Sequence, residues 1–200
     1  MKHCFNFVAV AVIALMFTAC TNASNDQNAA GSDTSAVATE QTNAPAEPIL
    51  TEEGLPPVVI GANVNDLPEA VEGLYASKKY HQIDPNLSDE EIAWDEVEGW
   101  YFYDADGNKL FAAETIEKGG KKIIYSILVY SPTIKTAQGA HVGMSRQELA
   151  AIDGAKYIEP NPEADYEIHI FELGKISITM DYENKIATDM RLLQESLLDF

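Results

Sequence analysis

Apolar and polar residues alternate near the C-terminal end of the chain in a way that predicts antiparallel strands. Side chains at every second position share one face of a strand, so this pattern is typical of a sheet with one buried face. Turns at Gly174-Lys175 and at residues 183–185 separate the runs. The residues predicted to face the core are Tyr166, Ile168, Ile170, Ile176, Ile178, Met180 and Tyr182.

Two further runs, "WYFYDADGNKLFAAETI" and "KKIIYSILVYS", predict strands in the middle of the chain. Residues 123–130 are apolar on both faces, which is typical of a central strand. Asp106-Gly107 separates a tyrosine-rich run from a run rich in leucine and phenylalanine, and this arrangement is a strong hairpin signal.

A short helix is predicted in "HVGMSRQELAAIDG". Ser145 is the expected N-cap, and Glu148 stands at capping-box spacing from it. Leu149 and Ile152 lie on one face, and Gly154 ends the helix. A helix this short is unstable alone, so we expect it to pack on the second sheet. Its expected contacts include Ile168, Ile170, Ile178 and Met190.

A weaker copy of this pattern lies upstream in "GANVNDLPEAVEGLY". Asp66 is the expected cap there, with Pro68 in the first turn, Glu69 completing a capping box and Gly73 closing the helix. Chance similarity between two short capped helices is the alternative to a true repeat. Strand patterns follow both helices, which favours the repeat.

The sequence therefore predicts an α+β fold of two tandem helix-plus-antiparallel-sheet units, with each short helix packed on its sheet. The first unit is expected at residues 53–135 and the second at residues 136–200.

The N-terminal residues predict a secreted, lipid-anchored protein. Residues 1–19 combine Lys2 with an apolar run too short to span a bilayer, which is typical of a signal peptide. "FTAC" resembles a bacterial lipobox, which implies that Cys20 is lipidated; an ordinary signal peptide is the alternative. Residues 20–52 are then the lipidated cysteine and a disordered, polar tether. Thr21 follows Cys20, and by resemblance to enterobacterial sorting rules the absence of Asp there implies the outer membrane.

Composition narrows the range of partners. The chain has a formal charge of −19, which disfavours nucleic acid and anionic lipid surfaces. Cys4 leaves with the signal peptide and Cys20 carries the lipid, so no disulfide or cysteine-ligated metal is expected in the domain.

Two segments resemble known envelope proteins. "GAHVGMSRQEL" is similar to a segment of SmpA/OmlA-type outer-membrane lipoproteins, and the plan of two units resembles the β-lactamase-inhibitor-protein-like (BLIP-like) fold. "GANVNDLPEAVEGLY" resembles a segment of uncharacterised envelope lipoproteins of Bacteroides-type bacteria. These resemblances imply a binding or assembly protein, not an enzyme.

The acidic turn also resembles the start of a calcium loop. Asp104, Asp106 and Asn108 alternate as its first ligands do, but an EF-hand needs Gly at its sixth position and Glu at its twelfth. Gly107 and Thr115 stand at the fourth and twelfth positions instead. We therefore predict a hairpin turn in place of a calcium site.

No catalytic pattern is present in the sequence. His81, His141 and His169 lack the spacing of zinc ligands, and no serine lies in a nucleophile-elbow pattern. Acidic pairs such as Asp95-Glu96 lie in a polar stretch, where a solvated surface is the expectation. We therefore predict a non-enzymatic protein with no cofactor and no metal site.

The best candidate for a binding face is aromatic and comprises Trp94, Trp100, Tyr101 and Tyr103. In the strand "WYFY", Trp100 and Phe102 face one way, whereas Tyr101 and Tyr103 face the other. One pair belongs to the core, and the other either packs under a helix or forms an exposed platform. Two functions stay open: a protein-interaction module of the cell envelope, and a lipoprotein that binds a glycan or small ligand.

Overall fold

The secondary structure is mostly strand in the computed structural model, which describes residues 47–88, 96–160, 168–181, 183 and 185–198. The elements are β1 (Ile49–Leu50), β2 (Gly54–Leu55), β3 (Val58–Val59), a 3₁₀ helix (Val64–Asp66), β4 (Ser77–His81), β5 (Gly99–Tyr103), β6 (Lys109–Lys118), β7 (Lys121–Val129), β8 (Lys135–Thr136), α1 (Arg146–Ala150), β9 (Lys156–Ile158), β10 (His169–Leu173), β11 (Ile176–Met180), β12 (Ala187–Leu193) and a second 3₁₀ helix (Glu195–Leu197).

Eight of these strands form one antiparallel sheet in the order β4-β5-β6-β7-β12-β11-β10-β9. The predicted α+β fold of two helix-plus-sheet units is therefore wrong. The described residues contain one α-helix of five residues, and β12 returns to pair with β7. Met190 lies opposite Val129, and Leu192 lies opposite Ile127. If the chain formed two separate sheets, β7 and β12 would each be an edge strand; here they pair with each other inside one sheet.

The predicted first helix is also wrong. Only Val64–Asp66 forms a helical turn, of the 3₁₀ type, and Asn63 caps it in place of Asp66. Leu67 is extended, with φ −74° and ψ 142°, because the ring of Pro68 disfavours helical geometry in the preceding residue. The chain then turns through Gly73 instead of continuing as a helix.

The second helix is present with the predicted cap, but it ends at Ala150, before Gly154. The hydroxyl of Ser145 accepts a hydrogen bond from the backbone N–H of Glu148, and the Glu148 carboxylate accepts one from the backbone N–H of Ser145. Leu149 is 0% exposed, and Ile152 packs against the same core. This reciprocal cap offsets the low stability of a helix of five residues.

The main core lies on one face of the sheet. Phe102, Phe111 and Phe171 come from three strands of the sheet, and α1 and residues 50–75 cover them from one side. Ile178 and Met190 share the core with Leu149, as predicted. Ile168 and Ile170 do not share this core. Ile168 is 42% exposed. Phe171 faces the core from β10, so its neighbour Ile170 lies on the other face of that strand. The prediction therefore assigned the inward-facing and outward-facing side chains of this strand one residue out of step.

Residues 49 and 50, which the sequence prediction placed in the tether, belong to the fold. Ile49–Leu50 pairs in parallel with β8, and Leu50 is buried in the main core. Burial of Leu50 holds this segment in place. The tether prediction missed it because that prediction rested on the polar composition of the whole segment. The predicted signal peptide, Cys20 and residues 21–46 lie outside the described residues.

Candidate functional site

The predicted aromatic face is not one surface. Trp100 is half-buried on the core side of β5, whereas Tyr101 and Tyr103 lie on the opposite side, as the alternation predicted. Trp94 lies outside the described residues. These aromatic residues therefore do not converge on one ligand.

Trp100 has a packing role at the sheet edge. Its ring centroid lies 5.6 Å from that of Tyr80, and the ammonium of Lys78 lies 5.4 Å from the ring. That ammonium also donates a hydrogen bond of 2.7 Å to the carbonyl oxygen of Leu67. The cation thus links the indole to the 3₁₀ segment, which gives this tryptophan a structural role at the sheet edge.

Tyr101 is buried in a second cluster on the opposite face, with Val97, Ala112 and Leu128. Its hydroxyl accepts a hydrogen bond of 2.9 Å from the backbone N–H of Val97 and donates one of 3.1 Å to the carbonyl oxygen of the same residue. Because the hydroxyl both accepts and donates a hydrogen bond and the ring is buried, Tyr101 is not an exposed platform.

A large open cleft lies beside the hairpin that joins β5 and β6. Its volume is about 930 Å³, within the usual range for ligand sites. Residues 70–76 form one wall, the hairpin forms another, and residues 130–133 form a third. The side chains that give the cleft its chemistry are Val71, Glu72, Leu74, Tyr75, Asp104, Asn108, Lys109, Leu110, Tyr130, Ser131 and Thr133.

The wall at residues 70–76 is a tight turn. Val71 and Tyr75 exchange two backbone hydrogen bonds of 2.8 and 2.9 Å, and Gly73 adopts a φ of +76°, which favours glycine. The Tyr75 hydroxyl donates to the carbonyl oxygen of Pro68 at 2.8 Å, and its ring meets that of Phe102 edge-on at 4.8 Å. Burial raises the pKa of this phenol, so it stays a protonated donor at neutral pH. The wall is fixed to the sheet.

The hairpin wall confirms the predicted turn at Asp104–Asn108. One carboxylate oxygen of Asp104 accepts backbone N–H groups of Asp106 at 3.0 Å and Asn108 at 2.7 Å, and Gly107 adopts a φ of +83°. Hydrogen bonds from the Asn108 side chain and backbone hold the pKa of Asp104 below its ordinary value. Asp104 therefore presents a negative charge to the cleft at neutral pH.

Lys109 connects the cleft to the second aromatic cluster. Its ammonium lies 4.7 Å from the ring centroid of Tyr101 and 4.5 Å from that of Tyr130, and the two rings are stacked with an interplanar angle of 3°. Sequence reasoning missed this arrangement because Tyr101 and Lys109 come from β5 and β6, Tyr130 directly follows β7, and the three residues have no common spacing.

A smaller cavity of about 320 Å³ lies near α1. It is lined by Arg146, His169, Met180, Asp181, Glu183 and Lys185. The Arg146 guanidinium lies 4.1 Å from the ring of Tyr157, whose hydroxyl is hydrogen-bonded to Nδ1 of His169. Cationic and anionic groups are mixed here, so the lining favours no one ligand charge.

The histidines lie in separate places. Nε2 of His81 is 2.6 Å from the Glu96 carboxylate, and Nδ1 of His141 is 2.9 Å from the carbonyl oxygen of Gly139. Among the described residues, no group of three or more His, Cys, Asp or Glu side chains is arranged to hold a metal ion.

Comparisons with known proteins give no relative. The chain matches no protein-family model, no curated protein and no solved structure. The resemblances described for "GAHVGMSRQEL" and "GANVNDLPEAVEGLY" therefore stay predictions.

In the part of the chain that the structure describes, no helix is both long enough and apolar enough to cross a membrane.

Proposed function

We propose that this chain is a lipid-anchored, non-enzymatic protein-interaction module of the cell envelope, and that the cleft beside the β5–β6 hairpin is its binding site. The cleft, with a volume of about 930 Å³, is the observation that supports this proposal. Its walls are fixed by hydrogen bonds and ring contacts, so a partner meets a preformed surface and little ordering free energy is lost on binding.

Anchoring at Cys20 supports the same proposal from the sequence. A lipid at Cys20 and a polar tether let the domain reach partners within a few nanometres of the membrane, on the order of 30 Å for a chain of this length. The expected cellular location is the outer membrane.

A cleft-filling variant tests the binding site. Ala70 is exposed and lines the cleft, so Ala70→Trp places a large ring in it without altering the core. Ala150→Trp, at an exposed position on α1, is the matched control. In affinity capture from envelope extracts, we expect the wild type and Ala150→Trp to retain the same partner and Ala70→Trp to lose it. Equal capture by all three proteins would contradict the proposal.

A second candidate function is binding of a glycan or small ligand in the same cleft. The presence of Tyr130, Asn108 and Asp104 among its lining favours this candidate, because an aromatic face with amide and carboxylate groups suits a sugar. Calorimetric titration of the full chain with neutral oligosaccharides distinguishes the two: heat that disappears in Ala70→Trp would select the ligand-binding function.

A further inference from the structure

The charged residues around the cleft are mainly acidic. Glu72 and Asp104 line it, and the exposed Asp106 belongs to the same hairpin turn. Asp104 remains ionised because Asn108 stabilises its carboxylate. The chain as a whole carries a formal charge of −19, so the wider field adds to these local charges.

Lys109 is the cationic side chain of the cleft lining. Its ammonium is held over the faces of Tyr101 and Tyr130, at 4.7 and 4.5 Å from the ring centroids. Glu72 and Asp104 outnumber this cation, so the lining carries a net negative charge that favours a basic ligand.

The remaining lining supplies apolar contact. Val71, Leu74 and Leu110 contribute aliphatic side chains, and Pro132 adds its ring. The hydroxyls of Ser131 and Thr133, which also line the cleft, are hydrogen-bonded to each other at 2.8 Å. An apolar side chain of a ligand therefore finds apolar partners here, and burial of such surface contributes roughly 25 cal/mol per Å².

We propose that the cleft binds a peptide segment of a partner protein that combines apolar side chains with lysine or arginine. This inference rests on the proposed function and specifies its ligand. Apolar side chains contact the aliphatic lining, and the basic groups pair with Glu72 and Asp104. A neutral glycan carries no cation for these carboxylates, and an anionic lipid headgroup is repelled by them.

The test uses fluorescence anisotropy of labelled ten-residue peptides with the full chain. The first peptide alternates Leu and Lys, the second replaces each Lys with Glu, and the third replaces each Leu with Ser. We expect the first to bind and the others to bind at least tenfold more weakly. Added salt should weaken the first interaction, because part of it is electrostatic.

Charge reversal identifies the site. Glu72→Lys should weaken binding of the Leu/Lys peptide about three- to tenfold, the effect expected when an exposed ion pair becomes a repulsion. Glu172→Lys, on the distant strand β10, makes the same change in net charge at an exposed position and should leave affinity unchanged. Circular dichroism of both variants checks that they are folded.

Three results would overturn the inference: equal binding of the acidic peptide, equal losses in Glu72→Lys and Glu172→Lys, or no binding of any peptide. Displacement of the peptide by neutral oligosaccharide would select the glycan alternative. If Ala70→Trp still abolishes partner capture while Glu72→Lys has no effect, the proposed function stands and the ligand assignment fails. If Ala70→Trp captures the partner normally, the proposed function itself fails.

Discussion

Leu149→Ala is the substitution that tests most sharply how the single α-helix stabilises the sheet. Leu149 is 0% exposed, and it is the buried residue of α1. It belongs to the same core cluster as Phe171, Ile178 and Met190, which come from three neighbouring strands. Truncation to alanine therefore removes buried methyl groups and leaves a cavity at the junction of helix and sheet.

The expected loss is about 3 kcal/mol in the free energy of unfolding, within the range of roughly 2–5 kcal/mol for buried leucine truncations. A helix of five residues has little stability of its own, so it cannot keep its position by propensity and the loss should not fall at the low end of that range. The neighbouring Gln147 is exposed, and Gln147→Ala should change stability by less than about 0.5 kcal/mol.

Urea unfolding of the full chain, followed by circular dichroism, measures both variants. We expect the midpoint of Leu149→Ala to fall while the slope stays constant, since the unfolded state is unchanged. A loss below about 0.5 kcal/mol would refute the reasoning, because it would mean that α1 does not help to cover this core.

Three other substitutions test the sheet and the hairpin. A Cβ atom at Gly99 would lie 2.5 Å from the Ala113 carbonyl oxygen. Gly99→Ala should therefore lower the free energy of unfolding by about 1–3 kcal/mol, measured by thermal unfolding. An unchanged melting temperature would contradict the pairing of β5 with β6. Gly107→Ala should cost about 1 kcal/mol, since φ is +83°, and the loss should be equal with and without millimolar calcium. The pKa of Asp104 is lowered, so its stabilising effect is complete above the ordinary aspartate value of 3.8 and disappears as the pH falls below it. The stability gap between wild type and Asp104→Ala should therefore narrow in acid, and a constant gap would show that the carboxylate charge does not matter.

Local patterns in the sequence predicted the elements that depend on near neighbours. Ser145 and Glu148 are three residues apart, and their reciprocal hydrogen bonds form within the helix end itself. The turn at Asp104–Asn108 is likewise closed by groups inside it. The central position of β7 followed from apolar residues on both of its faces.

Features that depend on distant contacts were predicted less well. The segment after Pro68 has helix-like spacing, yet it forms a turn because Tyr75 packs on Phe102 and bonds back to Pro68. The face of β10 was assigned to Ile168 and Ile170, but Phe171 has a larger apolar surface and takes the core position. Local periodicity cannot decide between such competing faces.

The cleft was beyond prediction for the same reason. Its walls come from residues 70–76, 104–110 and 130–133, and only the sheet brings these segments together. Trp100, Tyr101 and Tyr103, which were offered as a possible binding face, pack on opposite faces of the sheet. No residue of the aromatic strand β5 lines the cleft, so aromatic composition did not indicate where the cleft lies.

Photo-crosslinking in intact cells tests the central claim, that the cleft is the binding surface, most directly. The photoreactive residue p-benzoylphenylalanine replaces Ala105, in the hairpin wall of the cleft, in one strain and Ala150 on α1 in another; both positions are exposed. We predict a discrete crosslinked adduct from position 105, no adduct from position 150, and a lower yield of the adduct when Glu72→Lys is added. Adducts of equal yield from both positions, or none from position 105, would contradict the account.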